Sequence, residues 1–193
     1  MRFPRRAVLF PAAATAAAAI LAGPGVAHAQ TVCPGGICIT ANPTSATKTV
    51  KVTGTPGNDT IRFTIVPAVD NNHSATIGVN GFNTNVALFQ GAVITVDGVS
   101  GSDDINLAGL KTVPLKPGQS APRAYAKATV RTGTGNSTIT LANSGSNEIN
   151  AGPGKNLLFA RNGRADIING SGNDTAQVDK TETKVTGVTK FLP

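Results

Sequence analysis

Few side chains in this 193-residue sequence carry reactive chemistry, and their spacing limits what each can do. The two histidines are His28, inside an apolar leader, and His73, beside Asn71 and Asn72. A lone imidazole without a nucleophile or an orienting partner is no catalytic unit, so His73 reads as a loop residue. The two cysteines make one pair, in Cys33-Pro-Gly-Gly-Ile-Cys38. Dithiol redox chemistry wants C-x-x-C at a helix start; here a Pro-Gly-Gly turn can bring the sulfurs together as a disulfide. So short a loop removes little unfolded-state entropy, and the bridge would tie down an N-terminal cap rather than the whole fold. Paired carboxylates can act on a glycosidic bond, and Asp103-Asp104 and Asp166 are the acids that suggest it. Neighbouring residues of a strand point to opposite faces, however, so Asp103 and Asp104 cannot share a substrate.

The elements that must position these groups follow from composition. Aromatic residues make up 4% and charged residues 14% of the chain, against about 25% charge in an average globular domain. With 22 Gly and 12 Pro, the apolar load falls to Val, Ile, Leu and Ala, which suits thin, repetitive β structure better than a bundle.

Met1 to Ala29 reads as a signal peptide, with Arg2, Arg5 and Arg6, an apolar stretch from Ala7 to Ala22, and Ala27-His28-Ala29 as cleavage site. The stretch is short of the ~20 residues of a membrane span and is broken by Pro11, so no stable span is expected. Arg5-Arg6 after Pro4 is similar to a twin-arginine signal, and the expected location is extracellular by that route or the general secretory one. Losing the leader lowers the net charge from +7 to +4, fourteen bases against ten acids. Lys111, Lys116, Arg123, Lys127 and Arg131 fall in a stretch without acids, which reads first as a solvated loop kept soluble by its charge and second as a contact for a cell-surface partner, an anionic glycan or lipid. Nucleic acid is not expected, because Tyr125 alone is a poor stacking platform. The sequence leaves the oligomeric state open.

Aligned on Gly-x-(Asp or Asn)-x-apolar, with Ser137 and Ala165 departing at the third position, a repeat recurs from Gly57, Gly101, Gly135, Gly145, Gly154, Gly163 and Gly172, and places Ile61, Ile105, Ile139, Ile149, Leu158, Ile167 and Ala176 four residues later. A glycine corner followed by a short strand with one inward apolar side chain cannot bury that side chain alone. Stacked turns share a narrow core, too thin for large rings. The expected fold is therefore an all-β solenoid with longer, irregular coils in its N-terminal half. There, Ala75 to Val79 ends at the hairpin signal Asn80-Gly81, Pro114, Pro117 and Pro122 mark a loop, and Ala124 to Val130 alternates as a strand. The expected organisation is leader 1–29, N-terminal cap 30–50, solenoid 51–180 and C-terminal coil or cap 181–193. A flat Thr-rich face of the ice-binding kind is not expected, since Thr132/Thr134, Thr138/Thr140 and Thr181/Thr183 do not recur at the repeat spacing.

In Gly54-Thr55-Pro56-Gly57-Asn58-Asp59-Thr60-Ile61 and Asn169-Gly170-Ser171-Gly172-Asn173-Asp174-Thr175-Ala176 the chain resembles the RTX, or hemolysin-type calcium-binding, repeat family, whose nonapeptide is GGxGxDxUx. Gly98 to Ile105 is the next best match. The resemblance implies a right-handed parallel β-roll or β-helix with Ca²⁺ held between stacked corners. The acid position reads Asp59, Asp103, Ser137, Asn147, Asn156, Ala165, Asp174, so three of seven keep a carboxylate and the array is degenerate. Sorting by edge leaves two candidate metal sites: Gly54, Asp59, Gly98 and Asp103; and Gly152, Asn156, Gly170 and Asp174. With so few charges both would be weak. The edge bearing Asn147 and Ala165 is expected to be metal-free. Asn, Ser and Asp can equally cap corners with no metal. The expected function is a secreted, non-enzymatic solenoid in a structural, surface or adhesive role, binding calcium weakly or retaining its fold without it. The alternative is a small β-helix enzyme acting on polysaccharide.

Overall fold

The computed structural model describes residues 29–44, 47–67, 75–87, 91–111 and 125–193. The leader up to His28, the Asn71-Asn72-His73 segment, and Pro114, Lys116, Pro117, Pro122 and Arg123 lie outside the described residues.

The strands are β1 (Gln30–Val32), β2 (Cys38–Asn42), β3 (Thr49–Thr53), β4 (Thr60–Val66), β5 (Thr76–Val79), β6 (Phe82–Ala87), β7 (Val93–Asp97) and β8 (Asp104–Asn106). They continue as β9 (Lys127–Arg131), β10 (Thr138–Thr140), β11 (Ser146–Asn150), β12 (Leu157–Phe159), β13 (Ile167–Gln177) and β14 (Lys184–Phe191). The fold is all-β, a single mixed sheet of 14 strands, and its one helical element among the described residues is a 3-10 turn at Pro34–Gly36. Short strands separated by glycine corners follow from the repeat: each holds one or two inward apolar residues between outward polar ones, as in Thr138-Ile139-Thr140.

Two parallel runs carry the core. In the first, β3, β7, β9, β11, the start of β13 and the start of β14 pair in register, aligning Val52, Val96, Val130, Ile149, Ile168 and Val185. In the second, β4, β8, β10, β12, the end of β13 and the end of β14 align Ile61, Ile105, Ile139, Leu158, Ala176 and Phe191. From Ile61 to Ala176 this column is fully buried.

The N-terminal half differs from the expected longer coils. β1, β2 and β3 pair antiparallel, and so do β4, β5 and β6. The reason is local: Asn80 (φ 47°) and Gly81 (φ 80°) make a two-residue reversal, which forces β5 and β6 side by side and antiparallel. Asn80 anchors the hairpin on β4, its Oδ1 accepting from Arg62 N and its Nδ2 donating to Thr60 O. β6 lies against β2 and β3 and closes one end of the core over Phe63, Ile77, Val79 and Val86. Cys33 and Cys38 form a disulfide (S–S 2.11 Å) across the 3-10 turn between β1 and β2.

Ile139 sits mid-column between Ile105 and Leu158. Ile139→Ala should cost about 2–5 kcal/mol in chemical denaturation, by lost burial and the cavity left behind. Thr60→Ala, on the exposed face of the same run, should change stability by no more than about 0.5 kcal/mol.

Candidate functional site

Where the chain passes from the first run to the second it turns a corner whose backbone is packed too tightly for side chains. A Cβ on Gly154 (φ 146°) would lie 2.0 Å from Gly135 O, and one on Gly135 2.1 Å from Gly101 O. Two residues after each corner glycine stands a buried polar side chain: Asp59, Asp103, Ser137, Asn156 or Asp174. From Asp103 onward, each accepts a hydrogen bond from the backbone N–H of its counterpart in the preceding pass. Asp59 N donates to Asp103 Oδ1 (3.1 Å), Asp103 N to Ser137 Oγ (3.1 Å), Ser137 N to Asn156 Oδ1 (2.9 Å), and Asn156 N to Asp174 Oδ1 (2.9 Å). The bonds form an internal polar ladder beside the Ile column. It satisfies N–H groups that would otherwise be buried without partners.

The same oxygens decide whether calcium fits. At the Asn156/Asp174 corner, Asn156 Nδ2 donates to both Gly152 O and Asp174 Oδ1, each at 2.9 Å. Amide hydrogens thus stand between the two oxygens that the RTX resemblance assigns to an ion. Asp174 also accepts from Ser171 N (2.7 Å) and Ser171 Oγ (3.2 Å). This donor-filled corner does not fit a cation that needs six to eight free oxygens. At the other corner, Asp59 accepts from Thr55 N (2.6 Å) and Thr55 Oγ1 (2.9 Å). Asp103 Oδ2 alone has no partner, and it packs on Gly98, where a Cβ would lie 2.3 Å from it. Val99 explains the orphan. At the equivalent corners Thr55 N and Ser171 N reach their aspartates, whereas Val99 has φ 64°, rare for a β-branched residue, and its N–H does not reach Asp103 Oδ2. Burial raises the Asp103 pKa above the ordinary carboxylate value; the Asp59 N–H opposes this and the Asp59 charge adds to it. Among the described residues no group of three or more His, Cys, Asp or Glu could hold a metal ion.

The opposite edge corrects the repeat register. Asn147 is buried there, but the side chain beneath it is Asp166, fully buried, while Ala165, which the repeat paired with it, is exposed. The pairing of Ile149 with Ile168 spans one residue more than the glycine spacing, which moves Ile168 and Asp166 inward. Asn147 N and Nδ2 donate to Asp166 Oδ1 (3.0 and 2.9 Å), Asn162 Nδ2 to Asp166 Oδ2 (2.7 Å), and Asp166 N to Glu182 Oε2 (2.8 Å). Tyr125 tops this second ladder, its hydroxyl donating to Asn147 Oδ1 in a very short bond. A Cβ on Gly145 would lie 2.4 Å from the Tyr125 ring, so glycine makes room for the one tyrosine of the chain. Burial and the nearby Asp166 charge push the Tyr125 pKa well up. The glycine pattern gave no signal for Tyr125, Asp166 or Glu182.

The other candidates are dispersed. Asp104 points outward and pairs with Arg62 (2.5 Å), away from buried Asp103 and Asp166. Of the basic stretch, Lys127 pairs with Glu148 (2.7 Å) and Arg131 with Asp97 (3.7 Å), while Lys111 is exposed. Thr138 and Thr140 lie beside Leu157 and Phe159 rather than in a threonine column. No helix among the described residues is long and apolar enough to cross a membrane. No family model, curated protein or solved structure matches this chain.

Glu182 ties the last pass to the body, accepting from Asp179 N (2.9 Å) as well as Asp166 N. Burial, then the charges of Asp166 and Asp179, raise its pKa, with the two N–H bonds opposing. A carboxyl whose folded pKa is raised contributes stability at low pH that is lost as pH rises through that pKa. The melting temperature should therefore gain from Glu182 on acidification from pH 7 towards about pH 4.5, the ordinary value for Glu, against the opposite trend of Glu148, whose carboxyl the Lys127 hydrogen bond holds low. Glu182→Gln should lower it throughout, because one amide cannot accept both N–H groups, and should remove that gain. A gap between wild type and Glu182→Gln that narrows on acidification contradicts the role given to Glu182.

Proposed function

We propose that the chain is a secreted, non-enzymatic, right-handed parallel β-solenoid with degenerate RTX-like repeats, whose corners close by side-chain hydrogen bonds. It keeps its fold without calcium and serves as a structural or adhesive module displayed outside the cell. The observation that carries this reading is the Asn156 amide, which donates to Gly152 O and Asp174 Oδ1 where a repeat of the calcium-binding kind would place its ion. Two parallel runs joined by glycine corners, each with its own buried ladder, support the solenoid architecture. The leader's charge, apolar stretch and Ala-x-Ala site support export.

Circular dichroism of the secreted chain in EGTA, and then in millimolar Ca²⁺, should give the same strand signal and melting temperature. An ion held a hundredfold below its working concentration would add about 2.7 kcal/mol, a shift that could not be missed. A calcium-dependent rise would overturn the reading. Asn156→Asp should lower the melting temperature in EGTA, because it removes the donor from two buried oxygens and sets a second carboxylate beside Asp174.

A further inference from the structure

From Arg161 to Lys184 the chain carries four acids and four bases, and the fold sorts them by sign. Asp166 and Asp174 are buried and Asp179 and Glu182 half-buried, while Arg161, Arg164, Lys180 and Lys184 are all exposed. The acids spend their oxygens on neighbours: Asp166 on Asn147 and Asn162, Asp179 on the N–H groups of Asn162 and Gly163, Glu182 on those of Asp166 and Asp179. A segment that is neutral overall therefore presents positive charge outward.

Arg164 stands apart from the other bases here. Its Nε donates to Gly145 O (3.2 Å), which lays the side chain across two successive passes, and it makes no salt bridge among the described residues. Four of its five N–H donors remain for a ligand. The side chain borders a cleft of about 380 Å³ whose other walls are Gly145, Ser146, Gly163, Ala165 and Thr181, with no carboxylate among them. That volume falls in the range of small-ligand sites and suits one ring rather than a polymer segment. A Cβ on Gly163 would meet nothing within 4 Å, so the backbone is bare on that side and open to close approach. Ser146 and Thr181 line the same cleft; the Thr181 hydroxyl donates to Arg164 O (3.3 Å) and keeps its lone pairs to accept from a ligand.

We propose that this cleft is a binding subsite for the carboxylate of an acidic sugar, with the Arg164 guanidinium taking the carboxylate in fork geometry and the two hydroxyls meeting ring hydroxyls. The proposal rests on the reading of an extracellular surface module and names the anionic glycan unit such a module would hold. A planar fork distinguishes a carboxylate from a neutral hydroxyl, so selectivity is part of the claim.

Tri-galacturonic acid titrated into the ¹⁵N-labelled secreted chain, in EGTA and low salt, should give saturable amide shifts at Gly145, Ser146, Gly163 and Ala165. Added salt should weaken them. Arg164→Gln should weaken binding at least about tenfold, the usual loss for a hydrogen-bonded charge. Ser146→Asp, at an exposed position, should abolish binding while Arg164 stays in place and spectral dispersion certifies the fold. Equal binding of neutral tri-galactose, full-strength binding by Arg164→Gln, shifts confined to Lys180 and Lys184, or no saturable shift would each overturn the proposal. Melting in EGTA against Ca²⁺ reads the calcium-free fold separately, so either idea can fail without the other.

Discussion

Each time the backbone passes a glycine corner, an N–H group is buried where no strand partner can reach it. The side chain of the next pass accepts it. That bond, repeated from Asp59 to Asp174, fixes how successive passes stack on one another. A buried donor without an acceptor costs about 1–3 kcal/mol, a large fraction of a total stability of about 5–15 kcal/mol. Four such corners in a row therefore leave little freedom in register: sliding one pass by a residue would put an outward threonine into the Ile column and strand an N–H at the corner. Hydrophobic and polar columns enforce the same stacking from two directions.

The role of the few acids follows from this. A ladder step needs an acceptor, and Asp, Asn and the Ser hydroxyl all supply one, which is why the position varies so freely in chemistry while remaining buried. Calcium also accepts neutral side-chain oxygens, but at the Asn156 step the amide donors are turned onto the oxygens an ion would need. The low acid count is thus a property of corners closed by hydrogen bonds. Asp103 is the step where closure is incomplete. Val99 sits in a left-handed conformation there, and its carbonyl is accommodated by Gly133, where a Cβ would lie 1.5 Å away. Strain and an unpartnered oxygen coincide at one corner, while its neighbours are satisfied.

What could be read in the residues beforehand was what repeats at short range. The Gly-x-(Asp or Asn)-x-apolar spacing located Ile61, Ile105, Ile139, Leu158 and Ala176, the residues of one column, because a corner and the strand after it are a single local unit. The Asn80-Gly81 reversal was equally local and equally visible. Its consequence was not: once β5 and β6 pair antiparallel, the long N-terminal segments become a cap over the core end, which depends on contacts with β2 and β3 far away in sequence. The second edge was misplaced by one residue for a related reason. Glycine marks the outer bend, but the buried side chain is chosen by the strand register, and an extra residue between Asn147 and Asp166 separates the two.

Tyr125 shows how the two edges divide their tasks. The first edge is built of small polar groups whose corners close on glycine carbonyls, with no room for a ring. The second admits an aromatic side chain because Gly145 and Asn147 leave a gap that the ring and its hydroxyl fill. On that edge Arg164 lies exposed on the surface while Asp166, two residues on, is fully buried in the ladder. Two residues of opposite charge, with only Ala165 between them, thus lie on either side of the wall of the fold, acid inside and base outside. An exposed guanidinium beside a backbone free of side chains is the outer face of the packing that keeps Asp166 buried.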